Sequence, residues 1–239
     1  MPRLALMIDL ERCTGCKSCE AACKSEHALG PTERHNRVVW LGSKLEENSD
    51  NNKALDFLAL SCQHCERPAC VRACPVNPKA ISKNKETGVV TVNEDACVGC
   101  GECVTACPYG AMGFDPDGRH AVKCDLCSDR RAEGATTTAC AAVCPTKAIT
   151  FGPRDELLKT TEANNREMIK NDPFLLGPAT IYLDRIPNKQ EKFDAADRNS
   201  PKVIDSFTNI SIKDTVFPYG HNREDREITR IESGGCNIC

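Results

Sequence analysis

The grouping of the cysteines limits most strongly how this chain can fold. Sixteen of the 18 cysteines in the 239 residues fall into four groups of four, which we call the first to fourth quartets. The first and third quartets have the spacing Cys-x₂-Cys-x₂-Cys-x₃-Cys, whereas the second contains an x₄ interval and the fourth an x₁₂ interval. In chain order they are Cys13, Cys16, Cys19 and Cys23; Cys62, Cys65, Cys70 and Cys74; Cys97, Cys100, Cys103 and Cys107; and Cys124, Cys127, Cys140 and Cys144. The cysteine unit recurs four times, so the chain contains an internal sequence repeat.

This spacing is typical of bacterial ferredoxins. Three thiolates on one tight loop can reach three irons of a [4Fe–4S] cube, and a fourth, one helical turn further on, points toward a neighbouring cube. Three quartets end in Cys-Pro, and we expect each proline to end its turn because proline fixes φ and lacks an N–H donor. The spacing predicts four [4Fe–4S] clusters, but it leaves open which quartets exchange their fourth cysteine.

Two other uses of so many cysteines fit the pattern less well. Disulfide frameworks compensate for small cores in secreted chains of fewer than about 80 residues, and these cysteines are clumped, so they do not staple distant segments. Zinc sites usually combine two cysteine pairs separated by a longer finger. The first quartet places its four cysteines within residues 13–23, which is cramped for one tetrahedral ion. A zinc-stabilised interaction module remains the alternative from another class.

Charge adds a further expectation. The formal net charge is only −3 with scattered basic residues, so nothing indicates a nucleic-acid partner. Four thiolates on each oxidised cluster would add roughly −2 per site. Backbone N–H groups of tight loops, and nearby cations, are candidates to compensate this charge, although each cation is as readily a solvated surface group. These candidates are Gly15, Gly99 and Gly101 for the loops, and Lys17, Lys24, Lys123 and Arg72 for the cations.

The segments around the quartets fit a ferredoxin-like βαβ pattern. We predict strands where short β-branched or apolar runs flank the cysteine loops, and a hairpin around the turn Asp115-Pro116-Asp117-Gly118. The predicted strands are Leu4–Ile8, Val89–Val92, Met112–Phe114, His120–Val122 and a closing strand Ala148–Phe151 that ends at Gly152-Pro153. The predicted helices are Ala21–His27 and Thr137–Val143.

Five segments carry a resemblance to a known family: CTGCKSCEAACK, LSCQHCERPACVRACP, VGCGECVTACPYGA, KCDLCSDRRAEG and FGPRDEL. Together with the long gap inside the fourth quartet, they resemble the iron–sulfur subunits of the DMSO reductase and molybdopterin oxidoreductase family, and most of all its DMSO reductase branch. The likeness covers roughly residues 3–158. It implies an α+β fold with two ferredoxin-like (βαβ) halves in one compact four-cluster domain over residues 1–158, followed by an extended arm over residues 159–239 that contacts a partner subunit.

The same resemblance implies how the quartets combine: the first with the fourth, and the second with the third. We call the four resulting ligand groups sets 1 to 4. Set 1 is Cys13, Cys16, Cys19 and Cys144; set 2 is Cys124, Cys127, Cys140 and Cys23; set 3 is Cys62, Cys65, Cys70 and Cys107; and set 4 is Cys97, Cys100, Cys103 and Cys74. Some relatives carry Trp in the third quartet and hold a three-iron cluster. Cysteine is present at each third-quartet position here, so four cubanes are expected.

The resemblance also implies the partners. We expect a non-catalytic subunit that relays single electrons between a molybdenum or tungsten bis-pterin catalytic subunit and a quinone-linked membrane anchor. The start MPRLALMIDLERC has no signal-peptide pattern, and no run of about 18 apolar residues occurs. We therefore expect membrane association through partners, on the exported side in preference to the cytoplasmic side. The alternative is a polyferredoxin subunit of a soluble tungsten oxidoreductase or hydrogenase.

The sequence departs from the family pattern at a few places. Lys24 follows the first quartet where the other quartets have proline, and the segment after Cys74 is longer than the usual turn. The pair Cys236 and Cys239 has no family counterpart; it is an unused or disulfide-prone pair, a metal site shared with another chain, or a redox-active dithiol. The five histidines show no metal-site spacing, and we expect His64 to be a hydrogen-bond donor near a cluster or a surface residue, and not a ligand. No nucleophile-elbow, phosphate-loop or HExxH pattern indicates a catalytic site.

Overall fold

The computed structural model describes residues 2–31, 33–40 and 57–184. Within these ranges the chain forms short strands and helices connected by the cysteine loops. In chain order they are β1 Leu4–Asp9, α1 Ser18–Glu26, β2 Asn36–Trp40, β3 Phe57–Ser61, α2 Ala69–Ala73, β4 Ile81–Lys83, β5 Val90–Val92, α3 Glu102–Ala106, β6 Gly113–Asp115, β7 His120–Val122, α4 Ser128–Ala132, α5 Ala139–Val143, β8 Ile149–Pro153, α6 Arg154–Ala163 and β9 Ile181–Leu183. None of the helices in this part of the chain is long and apolar enough to span a bilayer.

Four small sheets organise these elements. The largest has the order β8-β1-β9, with β8 antiparallel and β9 parallel to the central β1. The other three are antiparallel pairs, β2 with β3, β4 with β5 and β6 with β7. Helix α1 packs on α5, and α2 packs on α3, so each helix pair brings two cysteine quartets together.

The three Cys-Pro steps end their helices as the sequence predicts. Helices α2, α3 and α5 end one residue before Cys74, Cys107 and Cys144, and each of these cysteines has extended backbone with ψ of 119°, 109° and 113°. The residue before a proline is driven out of the helical region by a clash with the proline ring. Cys23 has no proline after it, and α1 continues past it to Glu26. The missing proline therefore changes the length of one helix.

Three hydrophobic cores form within the described residues, and cysteines are members of two of them. The first core surrounds β1 and β3 and includes Ile8, Leu58 and Tyr182, together with cysteines from the first, second and fourth quartets. The second surrounds β4, β5 and the β6–β7 hairpin and includes Ile81 and Val90, together with cysteines from the second and third quartets. With one Trp, three Tyr and seven Phe in the chain, the cysteine groups occupy interior volume that large aromatic side chains fill in most domains.

Several predicted elements are confirmed, and one prediction about a strand end is wrong. Strand β1 and the β6–β7 hairpin occur where the sequence indicates. The closing strand does not end at Gly152-Pro153: both residues belong to β8, opposite Ala5 and Leu4 of β1. Pro153 is tolerated there because β8 is an edge strand. The helix predicted at Ala21–His27 begins earlier, at Ser18.

The packed part of the chain continues beyond the boundary expected at residue 158. That boundary falls inside α6, whose Leu157 and Thr161 are buried. Further along, β9 adds a third strand to the β1 sheet, and the Tyr182 hydroxyl donates to the carbonyl of Ala59 at 3.3 Å. Arg166 makes a two-pronged ion pair with the buried Asp9, with N–O distances of 2.7 and 2.8 Å. The described domain therefore reaches residue 184. Residues 185–239, with Cys236 and Cys239, lie outside the described residues.

Candidate functional site

A surface cavity is lined by all four cysteines of set 1. Its empty space, including the solvent at its mouth, is about 310 Å³. Three of the cysteines come from the loop after β1 and the start of α1, and Cys144 follows the end of α5. The packing of α1 against α5 thus brings Cys144 to residues more than one hundred positions earlier in the chain.

A second cavity of nearly the same volume, about 300 Å³, is lined by all four cysteines of set 4. Cys74 follows α2, whereas Cys97, Cys100 and Cys103 belong to the loop before α3 and to α3 itself. The α2–α3 pair therefore repeats in the second half the arrangement that α1 and α5 make in the first.

The cysteines of sets 2 and 3 also lie close together, as their effects on one another's ionisation indicate. The pKa of Cys23 is raised by burial first, and then by the neighbouring thiols of Cys140 and Cys127. Cys124 is fully buried and its pKa is raised in the same way, with Cys23 and Cys140 as its first thiol neighbours.

In set 3 the same relation holds. The pKa of Cys65 is raised by burial and then by the thiols of Cys62, Cys107 and Cys70. The pKa of Cys107 is likewise raised by burial, and the thiol of Cys62 raises it further. The cysteines of each implied set therefore lie near one another, and the assignment of individual cysteines to sets stays a prediction.

Thiol influences on pKa also connect neighbouring implied sets. The largest thiol influence on the pKa of Cys19 in set 1 comes from Cys140 of set 2. Cys124 of set 2 is influenced by Cys62 of set 3, and Cys103 of set 4 is influenced by Cys70 of set 3. We call each such pair of cysteines, one from each of two neighbouring sets, a junction.

Exposure differs among the four sets. All four cysteines of set 2 are buried, and set 3 has no exposed member. The exposed cysteines among the sixteen are Cys16 in set 1 and Cys100 in set 4. The exposed cysteines therefore belong to sets 1 and 4, whereas sets 2 and 3 contain only buried and half-buried ones.

The ionisation of the buried thiols fits metal ligation. Burial raises the pKa of Cys19 and of Cys127 to about 11, and that of Cys70 and of Cys103 to about 12, because a thiolate in an apolar interior loses its hydration. Four such thiolates side by side would also repel one another. A bound iron–sulfur core supplies the positive charge that lets them ionise together. All sixteen described cysteines are free of disulfides.

The four cysteine loops share one backbone feature. The second residue after the first cysteine of each quartet has a positive φ: Gly15 at 69°, His64 at 44°, Gly99 at 71° and Leu126 at 60°. Only two of these positions hold glycine, which adopts positive φ without strain. His64 and Leu126 are each 1% exposed, so surrounding packing holds them in this conformation. The sequence did not indicate that His64 and Leu126 adopt positive φ.

Backbone amides donate hydrogen bonds to several sulfurs. The amide of Ala148 donates to Cys144 Sγ at 3.2 Å. An amide hydrogen bond from Gly15 lowers the pKa of Cys13, although burial, the largest influence, raises it overall. Such bonds stabilise negative charge on the sulfurs and help to set the potential of a bound cluster.

Two histidines lie beside set 2, which the sequence spacing did not indicate. The ligand atoms of Cys23, His27 and His35 lie within 4.8 Å of one another. His27 Nε2 is also 3.8 Å from Cys127 Sγ and 3.7 Å from a carboxylate oxygen of Asp125. Burial and the neighbouring His27 lower the pKa of His35 to about 4, so His35 is neutral at neutral pH. Helix α1 and the segment before β2 bring the two rings together.

His64 is buried and is not a surface residue. Its Nδ1 accepts a hydrogen bond from the Val90 amide at 3.0 Å, which leaves the proton on Nε2. Burial, followed by the charge of Lys123, holds the pKa of His64 well below its usual range. Its Nε2–H finds no acceptor among the described residues. That His64 donates a hydrogen bond from Nε2–H near a cluster therefore stays a prediction.

The four candidate cations differ sharply in position. Lys17 and Arg72 are exposed, and Lys24 is half-buried with its ammonium on the carbonyls of Gly30 and Pro31 at 2.8 and 2.7 Å. Lys123 alone among the four is buried, with 4% of its surface exposed. The interpretation as a solvated surface charge therefore fits Lys17 and Arg72 but not Lys123.

Buried cysteine sets on paired ferredoxin-type loops define the class: the chain is an iron–sulfur protein of the ferredoxin type. Residues 53–154 match the 4Fe-4S dicluster domain family, and residues 4–25 match the 4Fe-4S binding domain family. Both matches indicate that the protein binds [4Fe–4S] clusters.

Comparison with curated proteins narrows this class. The chain is 43% identical over 156 residues to the B subunit of anaerobic dimethyl sulfoxide reductase of Escherichia coli, which covers 64% of this chain and 74% of the relative. It is 33% identical over 187 residues to the thiosulfate reductase electron transfer subunit PhsB of Salmonella typhi, covering 78% of this chain and 95% of the relative. It is 36% identical over 150 residues to the B subunit of polysulfide reductase of Wolinella succinogenes, covering 63% and 76%.

The protein belongs to the family of iron–sulfur subunits that includes the B subunit of dimethyl sulfoxide reductase. It is therefore a non-catalytic, electron-transfer member of a reductase complex, as the sequence resemblance predicted.

Two glycines of the third quartet provide a matched test of the loop geometry. Gly99 and Gly101 have φ of 71° and 73°, so alanine costs about 1 to 2 kcal/mol of backbone strain at either position. A Cβ on Gly99 would lie 2.5 Å from the backbone oxygen of Arg119, whereas a Cβ on Gly101 meets nothing within 4 Å. We expect Gly99→Ala to displace the loop and lower the iron content per chain, and Gly101→Ala to retain it. Iron and sulfide assays after anaerobic purification measure this; equal iron in both variants would contradict the geometry.

Proposed function

We propose that the chain holds four [4Fe–4S] clusters, one on each of sets 1 to 4, and relays single electrons along them. Two cavities of nearly equal volume, each lined by the four cysteines of one set, support the assignment of sets 1 and 4. The mutual influence of the buried thiols supports the assignment of sets 2 and 3. Each bound cluster supplies a one-electron redox centre whose potential depends on hydrogen bonds to sulfur and on burial.

The observation that carries the relay is the order of the sets. Each junction joins a cysteine of one set to a cysteine of the next, from set 1 to set 4. The chain's residues enclose the two middle sets and leave Cys16 and Cys100 exposed at the ends. Electrons therefore enter beside one exposed cysteine and leave beside the other. Val98, which lies between Cys97 and Cys100 in the chain, is 65% exposed and offers apolar surface for a partner at that end.

The partners of this chain follow from the family. We infer a catalytic subunit with a molybdenum or tungsten bis-pterin cofactor at one end of the row and a quinone-linked membrane anchor at the other. The chain would then be membrane-associated through its partners, on the exported side. We infer that the arm expected over residues 159–239 contacts one of these partners. Cys236 and Cys239 belong to the part of that arm that lies outside the described residues.

Serine substitutions test the exchange of fourth ligands. The proposal assigns Cys16 and Cys144 to one cluster, although they lie 128 positions apart, and Cys23 to another. Cys16→Ser and Cys144→Ser should alter the same EPR signal of the reduced protein, with loss of up to about four of about sixteen iron atoms. Cys23→Ser should alter a different signal.

The contrary result is equally clear. If the first quartet held one cluster by itself, Cys16→Ser and Cys23→Ser would alter the same signal and Cys144→Ser would alter another. Zinc in place of iron in the wild-type protein would contradict cluster binding altogether and favour the interaction module.

Purification from the native host tests the proposed complex. We expect a tagged chain, isolated anaerobically with mild detergent, to bring a molybdenum- or tungsten-containing subunit and a membrane subunit, and its clusters to be reduced by a quinol. Metal analysis by mass spectrometry and the EPR of the quinol-treated complex measure both. A metal-containing subunit without any membrane subunit or quinol reduction would favour the soluble polyferredoxin instead.

A further inference from the structure

Lys123 lies in the interior at the junction of sets 2 and 3. It follows β7 directly and precedes Cys124 of set 2, and only 4% of its surface is exposed. Its ammonium donates to the backbone oxygen of Cys124 at 2.8 Å and to that of Val90. Two carbonyls, one in β5 and one in the loop after β7, therefore fix the charge in place.

Among the residues that the structure describes, this ammonium has no carboxylate partner. Within residues 2–31, 33–40 and 57–184, no Asp or Glu oxygen lies within 4 Å of Lys123 Nζ. A buried charge is strongly unfavourable unless an opposite charge and hydrogen bonds replace its hydration. Carbonyl dipoles supply the hydrogen bonds here. The opposite charge must come from another group in the interior.

Hydrogen bonds and packing connect Lys123 to both middle sets. Its Nζ donates to the carbonyl of Val90, whose amide donates to His64, the residue that lies between Cys62 and Cys65 of set 3 in the chain. Its neighbour Cys124 belongs to set 2 and is buried in the same hydrophobic core as Cys62 of set 3. The ammonium therefore lies where two buried groups of thiolates meet.

We propose that Lys123 is a fixed counter-charge that raises the reduction potentials of the clusters on sets 2 and 3. This inference rests on the proposed cluster assignment. Adding an electron to a cluster adds negative charge, which a nearby ammonium stabilises, and the interaction is strong because the protein interior screens charge less than water does. Sets 1 and 4 lie at the ends of the row and do not share this contact. Lys123 thus favours electron occupancy in the enclosed middle of the relay.

Three substitutions separate charge from packing and hydrogen bonding. Lys123→Met removes the charge and keeps a long apolar side chain. Lys123→Gln removes the charge and keeps a donor for the carbonyls, whereas Lys123→Arg keeps the charge. Lys24→Met is the matched control: Lys24 follows Cys23 of set 2 as closely as Lys123 precedes Cys124, but its ammonium is bound to the carbonyls of Gly30 and Pro31.

The measurement is an EPR-monitored redox titration of the full chain in its purified complex, with iron and sulfide assayed in each variant. We expect Lys123→Met and Lys123→Gln each to lower at least one midpoint potential by about 59 mV. For a one-electron couple, this shift corresponds to about a tenfold change in the reduction equilibrium constant. In these two variants, the potentials of the remaining clusters should change by less than half of this shift. In the Lys123→Arg and Lys24→Met variants, the potentials of all clusters should change by less than half of it.

The other outcomes are decisive as well. Unchanged potentials in a fully loaded Lys123→Met or Lys123→Gln protein would overturn the proposal, as would an equal shift in Lys123→Arg. If Lys123→Met and Lys123→Gln both lost iron while Lys123→Arg retained it, the charge would be required for holding the clusters, which supports the counter-charge. Iron loss in all three would identify Lys123 as a packing residue and overturn it. A wild-type protein without iron would instead contradict the proposed function itself.

Discussion

The mutual repulsion of buried thiolates is the constraint on which the rest of this structure depends. Sixteen cysteines are gathered into four sets, and burial raises the pKa of most of them because a thiolate is poorly solvated in the interior. Apolar packing alone cannot make such groups ionise side by side. Iron–sulfur cores supply the compensating charge, so metal binding and folding are coupled in this chain. Cysteines are accordingly members of two of the three hydrophobic cores within the described residues.

The same constraint shapes the relay. Enclosing sets 2 and 3 keeps water away from the middle of the row, and leaving Cys16 and Cys100 exposed opens its two ends. An enclosed cluster is harder to reduce than an exposed one, because added negative charge is less well solvated in the interior. Lys123 between sets 2 and 3, together with amide donors such as that of Ala148, offsets part of that cost. In the proposed assignment, the protein thus combines enclosure with fixed positive groups.

Local chemistry explains what the sequence could predict. The cysteine spacing predicted the loops, and the Cys-Pro steps predicted the ends of α2, α3 and α5, because a proline acts on the residue directly before it. The grouping of Cys144 with the first quartet came from family resemblance, since spacing within one loop carries no information on which loops meet.

Features that depend on distant contacts were missed. The strand β9 has only three residues, and its place beside β1 depends on burial of Ile181 and Tyr182 that no local pattern reveals. His27 and His35 meet only because α1 and the segment before β2 pack together. His64 and Leu126 adopt positive φ because of packing and not because of residue type. The burial of Lys123 is of the same kind: its sequence neighbours do not distinguish it from the exposed Lys17.

Anomalous X-ray scattering at the iron edge from crystals of the intact protein tests the central claim most directly. The account predicts four iron peaks of similar size in one row, with the first within bonding distance of Cys13, Cys16, Cys19 and Cys144, and the last within bonding distance of Cys74, Cys97, Cys100 and Cys103. A peak bound by Cys13, Cys16, Cys19 and Cys23, or a zinc signal in place of any iron peak, would contradict it.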